Sequence, residues 1–228
     1  MRFLTDKIYH IYNRGVEKRN IFLDNSDYTR FIHDLYEFND TAPAGRFDRI
    51  KNTVRDRISD NIKKRQLIVE ILAFCLMPNH YHLIIKQLVD GGISDYIQKI
   101  GIGYTAIFNR KYERSGVLFQ GKTKAVAVET EEQLIHLPYY IHLNPLDLIF
   151  PNQKEKGISD WKKAEEFLMQ YRWSSHLDYC NIKNYPSVIS KSLLFNIWKK
   201  TDNYKKDFQG WLQEKERNFS TISSVLID

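Results

Sequence analysis

The chain has 228 residues, of which 43% are hydrophobic, a share that excludes global disorder and suits one domain with an appendage or two small domains. No apolar run approaches the roughly 20 residues that span a bilayer, and residues 1–7 lack the apolar stretch of a signal peptide, so we expect a cytoplasmic protein without a membrane segment. The formal net charge of +6 favours a polyanionic partner, although many basic proteins bind no nucleic acid.

Hydrophobic periodicity and capping residues predict alternating strands and helices along the first 150 residues. Strands are marked by alternation or by short apolar runs, and helices by apolar residues at three-four spacing behind a capping residue. In chain order, the patterns predict a strand at residues 7–13, a helix from Asp24 or Ser26 through Phe38, strands at 67–76 and 80–86, a helix from Ser94 that Gly116 stops, a strand at 117–128, and a helix from Thr130 that Asn144-Pro145 ends.

This order of elements predicts an α+β fold, namely a ferredoxin-like antiparallel sheet with helices packed on it. A parallel doubly wound fold fits less well, because the two central strands are joined by a connection short enough for a hairpin. A second set of apolar residues predicts a helical C-terminal extension. We therefore expect a domain at 1–150 with a basic insertion at about 42–66, followed by a connector and the extension at 151–228.

Two stretches concentrate basic residues. Residues 46–65 hold eight Lys or Arg against three Asp, a composition that also suits a solvated helix face. Residues 110–124 hold five against one Glu, with Tyr112 and Phe119 interleaved. Basic groups neutralise phosphates, and aromatic faces stack unpaired bases. With the loop after the first strand included, the predicted nucleic-acid contacts are Arg14, Arg110, Lys111, Arg114, Lys122 and Lys124.

The segment His80-Tyr81-His82 lies on one of the predicted central strands. Residues i and i+2 of a strand point to the same face, so the two imidazoles project side by side, while Tyr81 faces the opposite side, which we expect to be the core. Such a pair can bind one divalent metal ion. A His-x-His sequence also occurs without a metal, with its rings hydrogen-bonded or exposed, and the pair alone leaves both interpretations open.

A third ligand must come from another element, and the helix that ends at Asn144 offers one. Tyr140 and Asn144 are four residues apart and share a helix face. The amide oxygen of Asn144 is an acceptable ligand for Mg²⁺ or Mn²⁺, which places Tyr140 one turn from the metal, although Tyr140 also has apolar neighbours and could pack in the core. Tyr139 points about 100° away from Tyr140, and Tyr104 falls on the apolar stripe of its helix, so we expect both to be packing residues.

With these residues, the chain resembles the HUH tyrosine transposase superfamily. Within that superfamily it is most similar to the REP-associated tyrosine transposases, relatives of the small single-strand transposases of insertion sequences. The resemblance covers roughly residues 7–180 and keeps the order of the motifs; the pairing of Met-Pro-Asn-His-x-His with Tyr-x-x-x-Asn-Pro is specific. The matching segments are residues 9–15 (YHIYNRG), 77–83 (MPNHYHL), 115–122 (SGVLFQGK), 140–145 (YIHLNP) and 173–175 (WSS).

The resemblance implies that Tyr140 is the catalytic nucleophile and that His80, His82 and Asn144 bind Mg²⁺ or Mn²⁺. The implied reaction cuts and rejoins single-stranded or hairpin DNA by metal-assisted transesterification through a 5′-phosphotyrosine intermediate. The REP-associated relatives are commonly regarded as monomers, and the C-terminal extension leads us to expect a monomer here.

Two features depart from the family pattern. Pro138 lies two residues before Tyr140 and can alter the path of the helix. Residues 122–124 (KTK) stand where relatives often have an arginine followed by an aromatic residue, which puts the DNA contacts there in doubt. The proton acceptor for Tyr140 stays undefined, since His136 lies one turn before it but Pro138 makes their alignment uncertain.

Two other functions are compatible with parts of the pattern. A non-catalytic nucleic-acid-binding module of ferredoxin-like fold would explain the charge, but not the register of Tyr140 and Asn144 with the histidine pair. A metal-dependent hydrolase would bind zinc through His80, His82 and either His136 or His142. It predicts free 5′-phosphate products and no covalent intermediate.

Overall fold

The computed structural model describes residues 2–42, 65–151, 158–198 and 204–213. Most of the predicted basic insertion, residues 43–64, lies outside the described residues, as do parts of the C-terminal extension. No helix within the described ranges combines the length and the apolar composition that crossing a membrane requires.

A four-stranded antiparallel sheet organises the described part of the chain. Its strands are β1 (Ile8–Arg14), β2 (Val69–Met77), β3 (His80–Gln87) and β4 (Lys124–Val128). Their order across the sheet is β2-β3-β1-β4, so β3 and β1 are the central pair. Among the described residues, the helix Asn25–Glu37 lies between β1 and β2 and the helix Gly92–Lys111 lies between β3 and β4, an order that confirms the predicted ferredoxin-like α+β fold.

Two helices begin at the capping residues that the sequence indicated, whereas the helix predicted from Ser94 begins two residues earlier, at Gly92. Asp24 and Thr130 each accept a hydrogen bond from a backbone N–H of the first turn, and both complete a capping box. The described helices are α1 (Asn25–Glu37), α2 (Gly92–Lys111), α3 (Glu131–Leu143), α4 (Trp161–Gln170), α5 (His176–Tyr179), α6 (Ser192–Trp198) and α7 (Tyr204–Gln213), with 3₁₀ turns at Val16–Lys18 and Asn144–Leu148.

One face of the sheet packs against α1 and α2 through aromatic side chains. Tyr81 is 2% exposed, and its ring centroid lies 5.0 Å from that of Phe31 on α1. Tyr104 on α2 is buried against the same phenylalanine and donates a hydrogen bond to the carbonyl of Ile21. Tyr81 and Tyr104 are therefore core residues, as the strand and helix periodicities predicted.

Helix α3 packs on the opposite face of the sheet. Its apolar residues Leu137 and Ile141 are fully buried. Pro138 lies inside the helix, yet α3 continues to Leu143 and then tightens into the 3₁₀ turn at Asn144–Leu148. The proline therefore does not end the helix, and one continuous helical path leads through the predicted site residues.

The C-terminal extension packs against the outer side of α3 and along the edge of the sheet. Tyr139 on α3 stacks on Trp198 of α6, with ring centroids 5.6 Å apart. Residues 173–175 run beside β2, where the N–H of Leu76 donates to the carbonyl of residue 173, and the N–H of residue 175 donates to the carbonyl of Phe74. Backbone groups at this edge of β2 are therefore paired within the chain.

The strand predicted at 117–128 is shorter in the structure, because only Lys124–Val128 forms β4. The preceding residues instead bond to the turn after β1: the N–H of Val16 donates to the carbonyl of Leu118, and the N–H of Gln120 donates to the carbonyl of Arg14. Gly121 adopts a φ of 65°, in the left-handed region that glycine tolerates best, and this turn separates the loop from the strand.

A buried chain of hydrogen bonds joins α3 to the extension. The N–H of Phe74 donates to Oγ of Ser175, which lies 2.7 Å from Nε2 of His142. Nδ1 of His142 lies 2.7 Å from the hydroxyl of Tyr204, and that hydroxyl lies 2.8 Å from Nδ1 of His176. One hydrogen between each pair of atoms satisfies every group while both histidines stay neutral.

This network makes the stability of the fold sensitive to acid. Burial lowers the pKa of His142 well below its ordinary value and lowers that of His176 to about 4. Because the folded state favours the neutral rings, their contribution to stability is complete above the unfolded pKa of about 6.5 and is lost as the pH falls toward 4.

We predict that the free energy of unfolding, measured by urea denaturation, falls by about 2 kcal/mol between pH 7.5 and pH 5 through His176 alone. The double variant His142→Gln, His176→Gln should show a clearly smaller fall over the same interval, because its amides do not titrate. Identical pH profiles for the two proteins would contradict the role of this network.

Candidate functional site

One cavity of about 380 Å³ lies beside the ends of β1 and β3 and the end of α3. Its lining includes the predicted nucleophile and all three predicted metal ligands, together with two of the six predicted DNA contacts, Arg14 and Lys124. The same lining contains six residues that the sequence did not single out for a role: Tyr12, Asn13, Lys18, Asn79, Gln120 and Asp147.

His80 and His82 lie on the same face of β3, with ring centroids 5.0 Å apart and ring planes nearly perpendicular. Nδ1 of His80 lies 2.6 Å from Oδ1 of Asn79, whose amide nitrogen donates to the carbonyl of Lys18. Because an amide oxygen can only accept, Nδ1 of His80 carries the hydrogen, and the lone pair of the neutral ring lies on Nε2. This tautomer suits metal binding through Nε2 with the other nitrogen oriented by a partner.

His82 is 5% exposed and is held by side chains of β1. Its Nδ1 lies 2.9 Å from Nε2 of His10, a fully buried residue whose ring centroid lies 5.1 Å from that of His82, with the ring planes inclined by 23°. The ring of Tyr12 stacks on His82 at 5.8 Å, and the Tyr12 hydroxyl is buried with no hydrogen-bond partner among the described residues. Sequence reasoning placed His10 and Tyr12 on the first strand but gave neither a role.

Tyr140, Asn144 and Asp147 form one stripe of the cavity wall, since they follow one another at spacings of four and three residues along α3 and the 3₁₀ turn behind it. Tyr140 is 2% exposed, and its ring centroid lies 6.4 Å from that of His82. Asn144 is 3% exposed, and its amide nitrogen has no hydrogen-bond partner within the described ranges. The helical spacing that pairs Tyr140 with Asn144 also reaches Asp147, so the signal for Asp147 was present in the sequence.

The donor set of the cavity fits a hard divalent cation. In the part of the chain that the structure describes, no group of three or more His, Cys, Asp or Glu side chains is placed to hold a metal ion, so the two imidazoles need a ligand of another type. Asn144 offers one, because rotation about its last bond interchanges the amide nitrogen and oxygen, and an amide left unpartnered costs about 1–3 kcal/mol. Amide oxygen and imidazole nitrogen are compatible with Mg²⁺ or Mn²⁺.

Arg14, Lys18 and Lys124 place positive charge around the cavity. Nε of Arg14 donates to Oε1 of Gln120 at 2.6 Å, and Nζ of Lys124 lies 5.4 Å from the ring centroid of Tyr12. The cavity thus combines a tyrosine hydroxyl and imidazoles with cationic groups, a composition that suits a phosphodiester.

The remaining predicted DNA contacts lie outside this cavity: Arg110, Lys111, Arg114 and Lys122. The ammonium group of Lys111 lies 2.8 Å from a carboxylate oxygen of Asp24 and 2.6 Å from one of Asp27. The hydrogen bond from Lys111 lowers the pKa of Asp24 well below its usual range, so that carboxylate stays charged. The charge of Lys111 is therefore compensated within the fold, where it connects α2 to the start of α1.

Neither of the other two candidate histidines lines the cavity. Both ring nitrogens of His142 lie within hydrogen-bond distance of the extension, one of Tyr204 and the other of Ser175. His136 lies away from the cavity lining, and burial lowers its pKa. The zinc site composed of His80, His82 and one of these residues is thus not formed among the described residues.

Comparison with known proteins gives one family and one informative structure. Residues 42–144 match the family model described as Transposase IS200 like. The solved structure of a REP-associated tyrosine transposase bound to a REP hairpin aligns with a TM-score of 0.50 at 16% identity, and the alignment covers 83% of this chain and 88% of that one. No curated protein sequence matches the chain significantly. At this identity, the structural likeness shows a shared fold.

The unpartnered amide of Asn144 leads to a prediction about stability. Replacing Asn144 by Leu keeps the approximate volume and removes the buried group that lacks a hydrogen bond, so the free energy of unfolding in EDTA should rise by about 1 kcal/mol. Urea denaturation measures this change.

Asn39→Leu is the matched control. Asn39 is also a buried asparagine, but its side chain donates to the carbonyl of Val69 and accepts from two backbone N–H groups, of Ile68 and Val69. This variant should lose about 1–3 kcal/mol, because the backbone groups are left unpaired. Equal destabilisation by both variants would show that the Asn144 amide is satisfied in the metal-free fold.

Proposed function

We propose that the chain, in which residues 42–144 match the family model described as Transposase IS200 like, is an HUH tyrosine transposase that cuts and rejoins single-stranded or hairpin DNA with Tyr140 as the nucleophile. One observation supports the proposal most strongly. Tyr140 from α3 and Asn144 from the 3₁₀ turn behind it line the same cavity as His80 and His82 from β3, beside the cationic groups of Arg14 and Lys124.

The proposed reaction is a transesterification at a DNA phosphodiester. Oη of Tyr140 forms a bond to phosphorus as the bond from phosphorus to the 3′ oxygen breaks, which leaves a 5′-phosphotyrosine and a free 3′-hydroxyl. The phenolic proton is lost and the leaving oxygen gains one, so the net step consumes no water and no nucleotide. Attack by a 3′-hydroxyl on the phosphotyrosine reverses the step and rejoins strands.

His80, His82 and Asn144 would hold a divalent metal ion in this proposal. When bound, Mg²⁺ or Mn²⁺ would polarise the scissile phosphate and stabilise the charge that develops on it. The protein's own contribution is positional: Asn79 orients His80, and the packed end of α3 keeps Tyr140 beside the histidines. The low exposure of Tyr140 and Asn144 limits access of water to the phosphotyrosine.

Cationic residues around the cavity are proposed to bind the DNA backbone on either side of the reacting phosphate. The candidates for these contacts are the cationic side chains that line the cavity, namely Arg14, Lys18 and Lys124. Residues 1–150 would form the nuclease domain, and residues 151–228 would support α3 in a monomer. The neighbouring structure contains a hairpin bound to that protein, which makes a synthetic hairpin with a single-stranded flank the natural first substrate.

We predict that Tyr140→Phe abolishes covalent capture of DNA while leaving hairpin affinity within about twofold, because only the attacking oxygen is removed. The assay is a denaturing gel that separates the protein–oligonucleotide adduct formed with Mn²⁺. Tyr139→Phe is the control, since it removes a hydroxyl from the neighbouring residue, which packs on Trp198.

An adduct of unchanged yield with Tyr140→Phe would overturn the assignment of the nucleophile. Metal-dependent nicking without any adduct in the wild-type protein would instead favour a hydrolase, and hairpin binding without either reaction would favour a non-catalytic module.

Lys124 lines the cavity, whereas Lys111 is paired with two carboxylates, and this difference leads to a second prediction. Lys124→Met should weaken hairpin binding several-fold and lower the slope of log affinity against log salt by about one, as expected when one phosphate contact is lost. Lys111→Met removes the same formal charge but should leave both quantities nearly unchanged and lower thermal stability instead, because Lys111 is paired with Asp24 and Asp27. The reverse pattern would move the DNA-binding surface from the cavity to α2.

A further inference from the structure

We propose that His10 is a positioning residue, which holds His82 in the tautomer that presents the Nε2 lone pair to a metal ion. The inference rests on the proposed function, because it assumes that His82 is a ligand. His10 is not one of the proposed ligands, and it lies on β1, whereas His80 and His82 lie on β3.

The contact is built by the pairing of the two central strands. In the β1–β3 register, Tyr12 lies opposite His82 and His10 lies opposite Ile84, so His10 is the diagonal neighbour of His82 on the same face. Nε2 of His10 lies 2.9 Å from Nδ1 of His82. The ring planes are inclined by only 23°, and the two residues are 0% and 5% exposed.

One hydrogen lies between these two nitrogens, and its position decides what His82 can do. If Nδ1 of His82 donates to His10, the lone pair of His82 lies on Nε2. If Nε2 of His10 donates instead, the neutral His82 ring carries its hydrogen on Nε2 and cannot bind a metal there without exchanging it. The cavity that His82 lines contains three cationic side chains, of Arg14, Lys18 and Lys124, against one carboxylate, of Asp147, and this excess of positive charge favours the first arrangement.

His80 and His82 are thus oriented in two different ways. Asn79 Oδ1 can only accept, so the tautomer of His80 is fixed by its neighbour in sequence. His82 depends on a residue 72 positions away, whose ring can either donate or accept. Loss of a partner that orients a metal ligand typically lowers metal affinity tenfold to a hundredfold, and we expect His82 to fall in this range.

The experiment measures Mn²⁺ affinity without DNA, by the electron paramagnetic resonance signal of free Mn²⁺ during titration. His10→Phe keeps an aromatic ring but removes the acceptor, and it should weaken binding about tenfold or more. His10→Gln puts an amide oxygen near the former Nε2 position, so binding should return to within about threefold of wild type. Equal weakening by both variants would overturn the proposal, because it would reflect packing rather than the hydrogen bond.

Gln87→Met is the control for destabilisation. Gln87 is a fully buried residue of β3 whose side chain bonds to the carbonyl of Phe3 and the N–H of Ile93, toward the other end of the strand. It should lower the free energy of unfolding without changing Mn²⁺ affinity. A loss of Mn²⁺ affinity in this variant equal to that of His10→Phe would overturn the positioning role.

A second measurement needs no variant of His10. Long-range ¹H–¹⁵N correlation spectra of the metal-free wild-type protein report which ring nitrogen of each histidine carries hydrogen. We expect Nδ1–H at both His80 and His82; hydrogen on Nε2 of His82 would overturn the proposal.

His82→Ala separates failure of the inference from failure of the proposed function. If His82→Ala abolishes Mn²⁺ binding while His10→Phe leaves it unchanged, the role of His10 is wrong and the ligand assignment stands. If His82→Ala binds Mn²⁺ as the wild type does, the ligand assignment itself is wrong, and the role of His10 fails with it.

Discussion

The pairing of β3 with both β1 and β2 is the constraint on which the rest of the structure depends. A strand that is hydrogen-bonded on both sides cannot shift without breaking two ladders, and a shift of one residue exchanges its two faces. Such a shift would turn His80 and His82 toward α1 and α2 and expose Tyr81 to the cavity. The register of β3 therefore determines both the aromatic core around Tyr81 and the position of the imidazole pair beside α3.

The position of α3 depends on contacts on both of its sides. Tyr140 and Asn144 face the cavity, while Tyr139 and His142 pack into the C-terminal extension. Ser175 links the two supports, because its hydroxyl contacts both the backbone of β2 and the ring of His142. The extension is therefore part of what fixes the distance between α3 and the sheet.

The strands and helices could be predicted from the sequence because they depend on local periodicity. The same holds for the site residues that share a face of one element. Alternation along a strand placed His80 and His82 on one face, and the helical repeat put Tyr140 and Asn144 on another. The ferredoxin-like order of elements followed from the same patterns together with the short hairpin connection. Assignment of the nucleophile and of the ligand set came from resemblance to a family and stays a proposal.

The features that were missed depend on contacts between distant parts of the chain. His10 meets His82 only because β1 and β3 are neighbours in the sheet, and no local pattern reports the diagonal contact. Lys111 was interpreted as a DNA contact from a basic stretch, a prediction that stays open, and its ion pairs with Asp24 and Asp27, more than 80 residues earlier, were not foreseen. The predicted strand does not begin at residue 117, because the residues before β4 form backbone hydrogen bonds with the turn after β1 instead. The sequence of the predicted strand could not indicate these bonds.

The central position of β1 also has a consequence for the order of assembly during synthesis. β1 is synthesised before both of its partners: β3 ends at Gln87, β4 ends at Val128, and the polar network behind α3 includes Tyr204. Such long-range pairings are slow to form and impose a large loop-closure cost. The nascent chain can therefore pair β1 with β3 well before β4 is made, and one edge of β1 stays unpaired until residues 124–128 follow. The cavity is completed later still, when Tyr140 and Asn144 have been added.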